Sequence, residues 1–315
     1  MGPQLPNRGI ANDIGVPTSL TVGQAEDIMP LGEQKIMSGL LFGTAGTPRS
    51  TKEPSIAGGI ERVAELGLGC MEMEFVRRAS MGEATAQVVA ESAVRTGVKL
   101  TAHAPYYINL NAREPEKVRA SQERLLQTAR IASWCGAHSV AFHAAFYLGD
   151  PPDQVYQAVK QRLEEVLEQL RQEDVKVWIR PELMGRETQF GSLEELLDLS
   201  LELEMVAPCI DFAHYHARDG KHNSYDEFIS ILARVEERLG RGALDDIHIH
   251  VSGIDYGKKG EIKHLNMEES DFQYVDFIRA LKDYDVKGIV ICESPNLEGD
   301  ALLLQNTYHH LLESA

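Results

Sequence analysis

Val177-Trp-Ile-Arg-Pro-Glu182, Ser192-Leu-Glu-Glu-Leu-Leu-Asp-Leu-Ser-Leu-Glu-Leu-Glu204 and Val206-Ala-Pro-Cys-Ile-Asp-Phe-Ala213 follow one another in the chain. The first is a short apolar run that ends on a carboxylate, the second repeats leucine at helical spacing, and the third is again a short apolar run carrying an acid. Together they predict a strand, a helix and a second strand, the repeating unit of a parallel sheet. Working outward, β-rich runs recur at about 40–46, 70–76, 99–105, 139–145, 176–183, 206–213, 246–252 and 288–293. Amphipathic helical stretches lie between them, at Glu116 to Ser133, Gln154 to Gln172, Ser192 to Glu204 and Tyr225 to Leu239, with a last one near Ala301 to Glu313. Eight such units predict an α/β fold of the (β/α)8 TIM-barrel kind. A doubly wound sheet would more often open with a glycine-rich turn, and neither G-x-G-x-x-G nor G-x-x-x-x-G-K occurs.

The 315 residues, 43% of them hydrophobic, suffice for one large core, and no Pro/Gly/Ser-rich linker interrupts the alternation. A single catalytic domain is expected over 37–315. Residues 1–36 are rich in proline and glycine without sustained periodicity, which predicts a flexible or draping N-terminal extension. A formal charge of -17 argues against generic electrostatic binding of nucleic acid, unless basic loops or bound cations reshape the field near a site. Cys70, Cys135, Cys209 and Cys292 lie far apart and form no metal-ribbon or CxxC pair, so they are expected to be reduced and mostly buried. Neither a membrane-length apolar run nor a secretory signal pattern is present, which makes the cytoplasm the expected location.

Active sites of such barrels form at the C-terminal ends of the strands. The expected ends carry His103, His143, Glu182, Asp211 with His214, His250 and Glu293, and His264 follows the seventh strand. A lone histidine at a strand end is most often structural. A glutamate ending an apolar run, as at Glu182 and Glu293, needs a cation, an arginine or a proton, because an unpaired buried carboxylate is costly. Convergence of so many such groups points to metal binding, and imidazole with carboxylate suits zinc, manganese or iron.

These residues also carry a resemblance. Thr101-Ala-His-Ala-Pro-Tyr-Tyr-Ile-Asn-Leu110 resembles the first histidine signature of the endonuclease IV family of apurinic/apyrimidinic endonucleases. In the same order, Phe142-His143, Pro181-Glu182, Cys209-Ile-Asp-Phe-Ala-His214, His250-Val-Ser-Gly253 and Cys292-Glu293-Ser-Pro295 are similar to its later motifs, over about residues 38–314. The resemblance implies a xylose-isomerase-like TIM barrel that cleaves damaged double-stranded DNA on the 5′ side of abasic sites, in DNA repair, with two or three zinc ions. It implies that His103 and His143 hold one ion, that Glu182 bridges it to a second held by Asp211, His250 and Glu293, and that His214 and His264 hold a third. Glu182 and Glu293 are also the expected catalytic carboxylates. Three departures stand out. Ile262 occupies the place of the family's usual Asp, with Glu261 beside it as the possible replacement; Ala144-Ala145 replaces a proline and glycine; and Glu182-Leu-Met-Gly185 replaces the usual Glu-Asn-Thr-Ala-Gly.

A sugar isomerase or epimerase of the xylose-isomerase type remains the alternative, since Glu182, Asp211, His250 and Glu293 alone would hold the one divalent metal such an enzyme uses on a small-molecule sugar. The extra histidines favour the phosphodiesterase. Tyr106 and Tyr107 follow the first motif and are expected to wedge into DNA or pack on the rim. Arg77 and Arg78 after strand two, with Arg218, Lys221 and His222 after strand six and Lys258, Lys259 and Lys263 after strand seven, are candidate phosphate contacts in βα loops. Glu72 and Glu74 alternate on strand two and should share one face, Glu74 as a group that orients a ligand or an arginine. His248 is expected inside the barrel behind His250.

Overall fold

In a computed structural model, the described residues are Met1 and 39–314; apart from Met1, the extension expected over 1–36 lies outside them. Eight parallel strands form one sheet: β1 (Leu40–Ala45), β2 (Cys70–Glu74), β3 (Lys99–His103), β4 (Ser139–Phe142), β5 (Trp178–Pro181), β6 (Cys209–Asp211), β7 (Ile247–Val251) and β8 (Gly288–Cys292). Their order is β5-β4-β3-β2-β1-β8-β7-β6, and single bridge pairs, Ile179 with Val206 and Glu182 with Cys209, bring β5 back to β6. The result is the expected TIM barrel, nearly closed. Helices Pro115–Trp134, Pro152–Gln172, Leu193–Glu202, Tyr225–Leu239 and Glu298–Glu313 lie within a few residues of the expected stretches. Ser192 starts one of them with a capping box, its side chain accepting from the Glu195 amide while Glu195 reaches back to the Ser192 amide.

Period-two alternation sorts the side chains of every strand between two environments. Outward-facing Phe42, Met71, Met73, Leu100, Val140, Phe142, Ile179, Ile210, Ile249 and Val290 belong to the large apolar core. The inward positions are different in character. They carry Glu72, Thr101, His103, Ser139, Arg180, Asp211, His248 and His250, all buried, with only a small apolar plug of Cys70, Ile289 and Ile291. The barrel is therefore held together by its outer layer, and its interior is free to be polar.

Three local features differ from expectation. The run at 206–213 contributes only three residues to β6, because Asp211 caps a helix that begins at once, Phe212–Asp219. The fourth run stops at Phe142, and Ala145–Phe146 instead pairs antiparallel with Gln189–Phe190. After β7 the chain makes an antiparallel hairpin, Gly253–Gly257 with Gly260–Leu265, before helix Tyr274–Asp283. All four cysteines are free and buried. Among the described residues no helix is long and apolar enough to cross a membrane.

Candidate metal centre

The strand ends deliver their side chains to one point, and Glu182 occupies its middle. Its backbone bridges the neighbouring strands, its own amide donating to the Phe142 carbonyl (3.0 Å) and the next amide, of Leu183, donating to the Cys209 carbonyl (3.0 Å). Glu182 Oε2 lies 3.0 Å from His103 Nε2 and 3.2 Å from His143 Nε2. The same oxygen is 3.7 Å from His250 Nδ1, which is 3.4 Å from Glu293 Oε1. Two donor groups thus share one carboxylate: His103, His143 and Glu182, and then Glu182, Asp211, His250 and Glu293, each with its ligand atoms within 4.8 Å of one another.

The third group comes from elements that are not barrel strands. Asp211 is an N-cap, accepting from the His214 amide through Oδ1 at 2.6 Å, so the Asp-x-x-His spacing puts His214 one turn along, with Nδ1 3.0 Å from Glu182 Oε1. His214 Nε2 then lies 3.3 Å from His264 Nε2 and 3.6 Å from Glu261 Oε2, both on the hairpin, and these three side chains form a donor group of their own. Ile262 points elsewhere and is 57% exposed. Glu261 occupies this place because the hairpin is pinned against the segment after Glu182: the Glu261 amide donates to the Gly185 carbonyl (3.0 Å) and Arg186 Nε donates to the Glu261 carbonyl (2.9 Å). Two glycines permit that approach. A Cβ on Gly185 would meet the Glu261 side chain, and Gly260, at φ +90°, has its missing Cβ directed at the Gly185 carbonyl.

Donor chemistry and spacing fit cations. Among the described residues Glu72, Glu182, Asp211, Glu261 and Glu293 have only histidines as ion-pair partners, never lysine or arginine. Glu182 Oε1, Asp211 Oδ2 and His250 Nδ1 are buried without a hydrogen-bond partner, a costly state that a bound cation relieves. The ring tautomers also suit ligation: His103 Nδ1 donates to the Ala104 carbonyl (2.8 Å), leaving Nε2 for the site.

The electrostatics are those of a crowded set of acids balanced by imidazoles. Burial alone would raise Glu182, but the neighbouring imidazoles of His143, His103 and His214 hold it well below the usual carboxylate range. Against burial, the bond to Glu182 and the field of Glu74 lift His103 to about 10, while Asp211 and Glu182 lift His214, and Cys209, Glu72 and Glu293 lift His250, well above their ordinary value. Glu74, beside Glu72 and Glu293, is pushed up to about 8 by burial. His248 is inside the barrel as expected, pushed down to about 4 by burial, with Ser139 Oγ 3.1 Å from Nδ1 and Glu72 Oε2 3.2 Å from Nε2. Glu72 itself also stands 2.9 Å from His250 Nε2. Alternation predicted only that Glu72 and Glu74 share one face; that this is the inner face, and which residue Glu72 meets there, is set by the closure of the barrel and the register of β7, which no pattern in one strand reveals.

At the rim, Tyr106 leans over the first donor group, its ring centroid 5.7 Å from that of His103 and 5.4 Å from that of His143, while Tyr107 is exposed beside it. Arg77 and Arg78 are exposed after β2, as are Lys221 after the Phe212–Asp219 helix and Lys258, Lys259 and Lys263 on the hairpin; His222 is half-buried. Arg218 is not a loop residue. It sits in that helix and donates to the Met184 and Arg186 carbonyls, each at 2.9 Å, because these carbonyls have no strand to pair with. Ala144 and Ala145 are buried, Ala145 as the first residue of the short ladder and Ala144 just before it, where its carbonyl accepts from the Leu110 amide.

The family model described as xylose isomerase-like TIM barrel matches residues 60–309. An uncharacterized protein of Methanocaldococcus jannaschii is 45% identical over 273 residues, 86% of this chain and 98% of that protein. The protein of Mycoplasma pneumoniae named probable endonuclease 4 is 23% identical over 203 residues, 62% of this chain and 68% of its own. Among solved structures, endonuclease IV of Thermus thermophilus superposes with a TM-score of 0.67 at 19% identity, covering 87% of this chain and all of that one. A D-tagatose 3-epimerase-like protein superposes with 0.62 at 18% identity, covering 82% and 94%. These two likenesses show the fold.

Proposed function

The chain belongs to the xylose isomerase-like TIM-barrel family, and from that premise we propose that it is a zinc-dependent phosphodiesterase of the endonuclease IV kind, cutting damaged double-stranded DNA on the 5′ side of abasic sites. The observation that carries the proposal is the sharing of Glu182: one buried carboxylate stands within reach of His103, His143, His214 and His250, so three donor groups adjoin one another. Cations held there supply Lewis acidity to a phosphodiester and a nucleophilic water at neutral pH. Zinc suits these imidazole-rich groups, and manganese fits the same donors.

The protein's own residues do the rest. Glu182 and Glu293 hold the donor groups in register and are the catalytic carboxylates of the proposal. Glu261 completes the group of His214 and His264. Tyr106 and Tyr107 stand where an aromatic wedge would help expose a lesion, and Arg77 and Arg78 are free to meet phosphates against the acidic total. A reducing, cytoplasmic setting is part of the proposal, supported by four unpaired buried cysteines.

One observation favours a sugar isomerase or epimerase instead: Glu182, Asp211, His250 and Glu293 form a complete four-donor group without the others. The two are separated by assay. A duplex with an abasic analogue should be nicked on its 5′ side by zinc-loaded protein without added Mg²⁺. Intact DNA, together with turnover of a ketose or aldose in the presence of Mn²⁺, would overturn the proposal in favour of the isomerase.

A further inference from the structure

The inner face of the barrel continues the polar cluster below the donor groups. Glu72, on β2, is fully buried and faces β7 across the barrel. Its two oxygens have different partners. Oε2 accepts from Thr101 Oγ1 at 2.8 Å and lies 3.2 Å from His248 Nε2, whose other ring nitrogen is 3.1 Å from Ser139 Oγ. Oε1 is thereby left facing His250 Nε2 at 2.9 Å, and neither of these two buried atoms has a hydrogen-bond partner elsewhere. The opposite ring nitrogen, Nδ1, is the one turned to Glu293 and Glu182. Cys209, whose Sγ lies within 4.8 Å of ring nitrogens of both histidines, is a weaker acceptor than a carboxylate.

We infer that Glu72 is the positioning residue of the centre: it fixes His250 as the Nε2–H tautomer, so that the nitrogen presented to the cation shared with Asp211 and Glu293 is Nδ1. The inference rests on the metal-centre proposal above. A carboxylate behind a ligating imidazole sets ring orientation and raises ligand basicity, and losing such a partner typically costs about 10- to 100-fold in metal affinity. Thr101, through its hydrogen bond to Oε2, is the prop that keeps Glu72 from rotating away.

The full-length protein tests this in two ways. In zinc-loaded wild type labelled at histidine nitrogen, long-range proton–nitrogen correlation should show a proton on His250 Nε2 and none on Nδ1; a proton on Nδ1 would overturn the inference. Glu72→Gln keeps the shape and removes the charge. Its zinc titration should show one ion bound about 10- to 100-fold more weakly, with a changed absorption spectrum for cobalt substituted at that site, while the remaining ions hold. Unchanged affinities and cobalt spectrum, even with a lower melting temperature of the metal-free variant, would mean that Glu72 only braces the barrel. Should Glu72→Gln fail to fold, the wild-type spectrum decides. Wild type that takes up no zinc at all would sink the metal centre itself, a result distinct from either outcome for Glu72.

Discussion

Two regions of this molecule bring histidines and carboxylates together by different means. Glu182 and His250 come from or directly after barrel strands, and their side chains are 1% and 0% exposed. His264 and Glu261 come from a hairpin laid over the barrel mouth, and theirs are 26% and 17% exposed. In the first region position follows from sheet register, which the whole apolar outer layer enforces. In the second it follows from a tether of two hydrogen bonds to residues 185–186 and from two glycines that allow close approach. The deep groups should therefore hold ions tightly and the shallow group loosely, since opening a hairpin costs far less than shifting a barrel strand.

The largest expected effect breaks the deep region. Glu182→Gln removes the carboxylate that the donor groups share, and abasic-site cleavage should fall by about 10³-fold or more, with loss of two ions by elemental analysis and an unchanged circular dichroism spectrum. Full metal content with full turnover would remove Glu182 from the site.

Next comes the shallow region taken alone. His264→Ala and Glu261→Ala should each weaken one ion, by about 10- to 100-fold for the glutamate, while the other two stay bound in the same chelator competition. Unchanged stoichiometry in Glu261→Ala would make that residue a surface acid and leave the third group incomplete.

Protons give a third, smaller signal. With His103 lifted to about 10, and His214 and His250 well above their ordinary value, the metal-free protein is expected to hold extra protons at neutral pH. Cations bind neutral imidazole, so loading must expel protons. Calorimetry in two buffers of unlike ionisation enthalpy should read release of more than one proton per chain, and none would contradict the deep pairing. The stability consequence has a definite sign. A raised histidine pKa contributes stability that is complete below about 6.5, the unfolded value, and is lost as pH rises through about 10 for His103. Metal-free protein should thus lose stability toward alkaline pH while metal affinity rises.

Ile262→Asp is expected to do least. The side chain points to solvent, so an aspartate there should leave metal content unchanged and shift stability by less than about 0.5 kcal/mol. A gain in third-ion affinity would show that the hairpin can turn over to use either position.

The contrast between the regions also explains what could be read in the chain. Strands and helices were legible because period two and period 3.6 are local patterns, and histidines or acids at strand ends inherit their placement from the barrel. Asp211 and His214 were legible together, since a cap and its third residue are joined by local geometry. The hairpin was not, because Gly253–Leu265 has no helical or long apolar signal and its position depends on contacts with Gly185, far away in sequence. Glu261 could be named only as a neighbour of the missing acid; its actual place comes from the turn at Gly260. Arg218 was misread as a loop cation for the same reason, as its partners are carbonyls beyond Glu182. Glu72 was expected only to share a face with Glu74; the residue it approaches lies across the barrel.

Metal stoichiometry of the purified, zinc-replete protein tests the central claim most directly, that two donor groups share Glu182 and a third adjoins it. Elemental analysis with stepwise chelation should find two ions per chain that leave slowly and a third that leaves first. A single labile ion per chain, with His103, His143 and His264 variants binding as wild type does, would contradict the account and leave only the four-donor group of Glu182, Asp211, His250 and Glu293.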